Sequence, residues 1–293
     1  MMPYKFTVPE GKRVRVIVSS DTACEADDPF AIAHALLSPK MDVKAVIAEH
    51  FRDAGSMERS HAAAKKLLDL MKSTVPVLRG QVWPKVEGEI SEGARCIIDE
   101  ARREDSRPLF VLCMGAVTTL AAALAAAPDI AEKLTFVTIG GRGYGKDAWV
   151  FREFNWGNDP DAINFILRDT AVPVWQIPIS GYGMMRVGLA ELQRKVACCG
   201  EVGAYLLRQM DEYNNTPYAG WTAGESWSLG DNPSVAVVLH PGCGENRMQS
   251  AWLIDNETAY VTELPGRQIL VYRTIDSRYV LEDLFSKLAI NFG

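Results

Sequence analysis

The sequence predicts a single-domain α/β protein spanning 1–293, with a mostly parallel central sheet and flanking helices. Three observations carry this. Short β-branched runs alternate with longer segments of helical spacing along nearly the whole chain, as expected for strands joined by crossover helices. The 293 residues, 48% hydrophobic and 23% charged, can bury a large core and sit near the size where single cores stop growing. No internal repeat, low-complexity tract or linker divides the sequence.

Residues 14–18 form a compact apolar strand that runs into Ser19, Ser20 and Asp21. Residues 28–37 show helical spacing of Phe30, Ala31, Ala35 and Leu36 and end at Ser38-Pro39, where proline stops a helix. A second strand follows at 43–48 and a second helix at 56–71, which Ser56 begins. An extended piece at 75–78, a helix at 91–103 and a strongly apolar strand at 108–113 come next. An alanine-rich helix at 115–127 stops at Pro128, and a strand at 134–139 enters the glycine-rich loop from Gly140 to Gly145. Helix 159–168 and strand 172–177 are followed by helices near 189–196 and 202–213. The loop 214–229 is rich in Gly, Trp and Thr; 252–275 alternates as antiparallel strands do, and a last helix covers 280–288.

The net charge of −6 argues against a nucleic-acid backbone or an anionic membrane as partner. No run of about 20 apolar residues exists to span a membrane. Residues 1–11 mix Lys, Pro and Glu and lack the apolar run of a secretory signal. The six cysteines show no CxxC spacing; reduced thiols in a cytoplasmic protein are expected.

Chemistry concentrates after the first strand. Asp21, Glu25, Asp27 and Asp28 place four carboxylates within eight residues, between a strand and a helix. In open α/β sheets that crevice binds ligands. Crowded acids there repel one another unless a cation or a set of hydroxyls satisfies them, and hard oxygen donors favour Ca2+ or Mg2+. The same acids also suit a solvated loop in which Asp27 and Asp28 complement a helix dipole. Composition alone leaves both readings open.

The segment from Ser19 to Asp28 resembles the N-terminal metal motif of the inosine-uridine preferring nucleoside hydrolase family, in a variant with a longer turn. Asp21, Glu25, Asp27 and Asp28 match, whereas Ser19 replaces an Asp and Cys24 an Asn. Three further elements follow in order. Residues 111–120, through Met114-Gly115, are similar to a strand-turn-helix element that offers a backbone carbonyl to calcium. Gly140-Gly141 with Glu153-Phe154-Asn155 and Asp159-Pro160 resembles a ribose-binding element; in an extended segment Glu153 and Asn155 point the same way. Leu229-Gly230-Asp231-Asn232-Pro233 resembles the start of a late helix that carries the last calcium ligand, although Asp231 also reads as a helix N-cap followed by an early proline.

The resemblance implies a nucleoside hydrolase-like fold with a Rossmann-like core. It also implies calcium-dependent hydrolysis of a ribonucleoside N-glycosidic bond, with a calcium-held water as nucleophile. Asp21, Asp28, Asp231 and the Met114 carbonyl would hold calcium, and Asp21 would act as base. Asp27, Glu153 and Asn155 would hold ribose. His50, at the end of the second strand, would be catalytic, and His34, His61 and His240 structural or peripheral. Trp149, Trp156, Trp221 and Trp227 flank the later motifs, and Trp227 is assigned to the base, with half of the set expected to be packing. Tyr182, Met184 and Met185 could share that mouth. Gly230 stands where many relatives carry the histidine that serves the leaving base. Homodimers and homotetramers are common in the family. The competing readings are hydrolysis of another N-riboside at the same metal and ribose site, and a non-catalytic sugar- or nucleoside-binding protein.

Overall fold

The computed structural model describes residues 4–51, 53–83, 88–145 and 150–293. Trp149 lies outside them. The first half alternates β1 (Val14–Ser20), α1 (Asp28–Leu36), β2 (Met41–Ala48), α2 (Ser56–Leu70), β3 (Val77–Arg79), α3 (Glu92–Arg102), β4 (Leu109–Cys113), α4 (Thr118–Ala126) and β5 (Thr135–Ile139). The second half comprises α5 (Phe154–Gly157), α6 (Pro160–Asp169), β6 (Val174–Ile177), α7 (Ile179–Tyr182), β7 (Arg186–Gly188), α8 (Leu189–Lys195) and α9 (Gly200–Asn214). It closes with β8 (Ser226–Ser228), α10 (Asn232–Leu239), β9 (Asn246–Ile254), β10 (Tyr260–Tyr272) and α11 (Ser277–Phe292).

Eight strands form one sheet in the order β3-β2-β1-β4-β5-β6-β10-β9. Every pairing is parallel except that of β9 with β10 at the edge. The first of these late antiparallel strands begins at Asn246, earlier than its alternation suggested, and the second joins the main sheet beside β6. No helix among the described residues is long and apolar enough to cross a membrane.

Strand alternation divides the core between the two faces of the sheet. Val16 and Val18 of β1 pack with Phe30 and Ile32 of α1, Val235 of α10 and Leu284 of α11. Ile17, between them, faces the other way, with Ile97 of α3, Leu120 of α4 and Ile163 of α6. The strand order reverses direction between β1 and β4, so the connections that leave their carboxyl ends turn to opposite faces of the sheet and open a crevice. Asp21 follows β1 and Met114 follows β4 directly at that opening.

Candidate active site

The turn from β1 into α1 is built around its own acids. Ser20 Oγ donates to Asp28 Oδ1 at 2.6 Å and lies 2.7 Å from Thr22 Oγ1, while Cys24 N–H donates to the Asp21 carbonyl. Asp27 occupies the N-cap position of α1 but makes no side-chain capping bond. Its carboxylate instead lies close to the backbone N–H groups of Asp27 itself, Gly230, Asp231 and Asp28, which brings the start of α10 up to the start of α1. Gly230 permits that approach: a Cβ there would lie 3.3 Å from both Asp27 Oδ2 and the Tyr182 ring. Asp231 also sits at an N-cap position without capping its helix. Neither Asp27 nor Asp231 therefore caps its helix by a side-chain hydrogen bond.

Asp27, Asp28 and Asp231 each present an oxygen, all within 4.8 Å of one another. Asp21 lies beside them, packed so closely on the β4–α4 turn that a Cβ on Gly115 would come within 2.6 Å of its Oδ1. Asp21 Oδ2 is buried and has no hydrogen-bond partner among the described residues. Burial pushes the Asp21, Asp28 and Asp231 carboxyls well above the usual carboxylate range, and their mutual repulsion pushes them further. Asp27 is raised to about 6 by burial, moderated by the N–H groups it accepts. Four desolvated carboxyls and an orphaned oxygen fit a hard divalent cation, which would offset the repulsion and satisfy that oxygen.

The opposite wall departs from the expected local geometry. Glu153-Phe154-Asn155 is not extended; residues from Phe154 form the one-turn helix α5, and Glu153 is its cap. The Glu153 carboxylate accepts N–H groups from Gly141 at 3.0 Å, Trp156 at 2.9 Å and Asn155 at 3.1 Å, and the Tyr182 hydroxyl at 3.4 Å. Burial nonetheless raises its pKa. Asn155 Nδ2 donates to the Ile139 carbonyl at 3.0 Å, leaving the amide oxygen as its open acceptor. Two residues apart in a helix start, Glu153 and Asn155 meet the site by different routes rather than side by side.

These walls enclose a cavity of about 860 Å3. Asp21, Asp27, Asp28, Met114, Glu153, Asn155, Trp227 and Asp231, all named from sequence, line it. His50 does not. Its Nε2 lies 2.8 Å from Thr118 Oγ1, which donates to Asp159 Oδ2 at 2.7 Å, and its ring stacks on Trp83. Trp156 is fully buried packing, whereas Trp221 is half exposed and meets the Trp227 ring edge-on at 5.0 Å within the lining. Of the other mouth candidates, Tyr182 and Met184 line the cavity and Met185 is core. Arg152 and Arg186 were not anticipated: one precedes the Glu153 motif, and the other lies on a three-residue strand too short to show a pattern.

Residues 16–268 match the inosine-uridine preferring nucleoside hydrolase family. The chain belongs to that family of N-glycosyl hydrolases. It is 24% identical over 259 residues to a pyrimidine-specific ribonucleoside hydrolase, RihA, of Salmonella paratyphi A, covering 79% of this chain and 77% of that one. A plant nucleoside hydrolase, PpNRh1, superposes with a TM-score of 0.75 at 18% identity, over 94% of this chain and 98% of that chain. A purine-preferring ribonucleoside hydrolase from Gardnerella vaginalis gives 0.74 at 21% identity, over 94% and 99%. Within the nucleoside hydrolase frame, the departures at Ser19, Cys24 and Gly230 stand out. Cys24 and Gly230 both line the cavity, whereas Ser19 sits behind it, bonded to Glu49.

Proposed function

We propose that this nucleoside hydrolase cleaves the N-glycosidic bond of a ribonucleoside in a calcium-dependent reaction with water as nucleophile. The observation that carries this is the buried acid cluster at the sheet's switch point, with its unsatisfied Asp21 oxygen. Asp21, Asp28, Asp231 and the Met114 carbonyl would hold the ion, with Asp27 close enough to share it. Bound there, a divalent cation supplies the charge that keeps these carboxylates ionised and makes water a better nucleophile.

The chain's own residues do the rest. Asp21 accepts the proton of a water as its oxygen bonds to C1′, while the C1′–N bond breaks and its electron pair leaves with the base. Asp27, Asn155 and Glu153 hold the ribose hydroxyls. Most acceptor positions of Glu153 are already taken by three N–H groups, so it fixes the sugar from a rigid mount. Trp221 gives the base an aromatic wall backed by the buried Trp227, whose indole N–H has no acceptor among the described residues. His50, outside the cavity lining, supports this site through Thr118 at the start of α4. The reading includes a cytoplasmic homodimer or homotetramer, which sedimentation velocity would resolve.

A panel of purine and pyrimidine ribonucleosides, assayed for free ribose with calcium and with chelator, tests this. Turnover that requires calcium and vanishes in D21N is expected. No turnover on any member, with ribose binding intact, would leave only a binding protein.

A further inference from the structure

The cavity is unevenly charged, and the unevenness selects a substrate class. Its floor carries Asp21, Asp27, Asp28 and Asp231, whereas its outer wall carries two arginines. Arg152 is committed to the backbone: its Nε donates to the Asn256 carbonyl at 2.9 Å and its guanidinium reaches the Gly157 carbonyl. It adjoins Glu153, at the ribose end. The Arg186 side chain is exposed and makes no hydrogen bond or ion pair with any described residue.

The antiparallel ribbon of β7 and β8 decides where Arg186 stands. Arg186 pairs with Ser228 and Gly188 with Ser226, so Arg186, Ser226 and Ser228 share one face of the ribbon. All three line the cavity, as Trp221 does, whereas Trp227 pairs with Val187 on the opposite face and is buried with it. The free guanidinium thus lines the same cavity as Trp221, on a different element from Glu153 and Asn155, to which the reading above gives the ribose.

We propose that Arg186 is a specificity-determining residue that selects N-ribosides whose leaving base carries a carboxylate. This rests on the N-riboside reading above. A guanidinium presents a planar fork of donors that matches a carboxylate bidentately, and a neutral ring offers it no such partner. The acids of the floor repel a carboxylate, so an anionic base binds in one orientation, sugar inward and carboxylate toward Arg186. As the C1′–N bond breaks, the electron pair adds negative charge to the base, which the same cation opposes. Gly230 has no side chain that could protonate the base, and arginine stays charged in proteins. Arg186 therefore acts by charge and not by proton donation.

The test uses paired ribosides that differ only in the charge of one group: uridine with its 6-carboxy derivative, and a pyridine riboside as carboxamide and carboxylate. Ribose release and calorimetric binding to the calcium-loaded protein are measured for wild type, R186Q and R186K. Wild type should favour the carboxylate of each pair by about tenfold or more in kcat/KM, R186Q should bring the ratio near one, and R186K should restore part of it. An unchanged ratio in R186Q, or a wild-type preference for the neutral partner, overturns the assignment. Loss of a preference for uridine 5′-monophosphate instead would place the anion at the sugar end and also overturn it. If nothing is hydrolysed but the carboxylate binds better in an Arg186-dependent way, the hydrolase reading fails and the Arg186 assignment survives. Equal hydrolysis of both partners by wild type and R186Q gives the reverse.

Discussion

Replacing Gly115 with alanine should silence the site while the fold stands. An added Cβ would lie 2.6 Å from Asp21 Oδ1, 2.7 Å from Cγ and 3.0 Å from Cβ, roughly 0.5–1.4 Å inside ordinary contact distance. The turn cannot simply retreat, because Met114 N–H is bonded to the Ser19 carbonyl at 2.8 Å, pinning β4 to β1. Asp21 is buried against the other acids, so its carboxyl must rotate or its strand end must move. A displacement of about 1 Å at a reacting centre costs on the order of a hundredfold in rate. The overpacking itself costs about 1–3 kcal/mol, which lowers Tm by a few degrees in a chain this long. Ribose release and thermal unfolding of G115A give both numbers, with Gly266→Ala as control, where a Cβ meets nothing within 4 Å. G115A within about threefold of wild-type activity would refute the placing of Asp21 at the reacting centre.

Two further outcomes follow from buried charge. Without metal, D231N should be more thermostable than wild type, because it removes one of several mutually repelling carboxyls. With calcium at about 100 times its Kd, wild type should gain about 2.7 kcal/mol and D231N much less; calorimetric unfolding with chelator and with calcium checks the reversal. Elsewhere, His34 is buried with its ring nitrogens 2.8 Å from Asp283 Oδ2 and 3.2 Å from Asn232 Nδ2, and burial lowers its pKa from 6.5 to about 4. A base depressed in the fold contributes full stability above pH 6.5; below it the unfolded chain gains a proton that the fold refuses. About 3 kcal/mol should therefore be lost between pH 6.5 and 4. Urea unfolding of wild type and H34Q across that range checks it, and an equally steep acid limb in H34Q would count against it.

Much of this was legible because it depends on local pattern. The strands of the first half and their crossover helices appear in the sequence as apolar runs and helical spacing, and the switch-point acids follow the first strand directly. What escaped depends on distance or brevity. The one-turn helix α5 is too short for a period, so Glu153 and Asn155 read as extended although Glu153 is the helix cap. The three-residue strands β7 and β8 gave no alternation to detect, which hid Arg186. His50 follows a strand end, as an active-site residue could, but its ring is held by Thr118 at the start of α4 and by Trp83, outside the cavity lining. Nothing in its neighbouring residues distinguishes the two positions.

Ser19 shows how a departure in one motif can be answered on another strand. Taken residue by residue, serine there is a lost carboxylate. In the fold, β1 and β2 run in parallel register, Ser19 beside Ile47 and Ser20 beside Ala48, so the residue after β2 arrives behind the cluster. That residue is Glu49, fully buried, and Ser19 Oγ donates to its Oε1 at 2.7 Å. Burial raises the Glu49 carboxyl to about 7, with hydrogen bonds from Thr119 and Ser19 opposing the shift. An acid at position 19 as well would put two carboxyls at hydrogen-bond distance in a desolvated space, which costs more than serine does. Serine at 19 and glutamate at 49 are thus a hydrogen-bonded pair beside the cavity rather than a part of its lining. The departure at Ser19 is therefore accommodated by a buried hydrogen bond and leaves no polar group of its own unpaired.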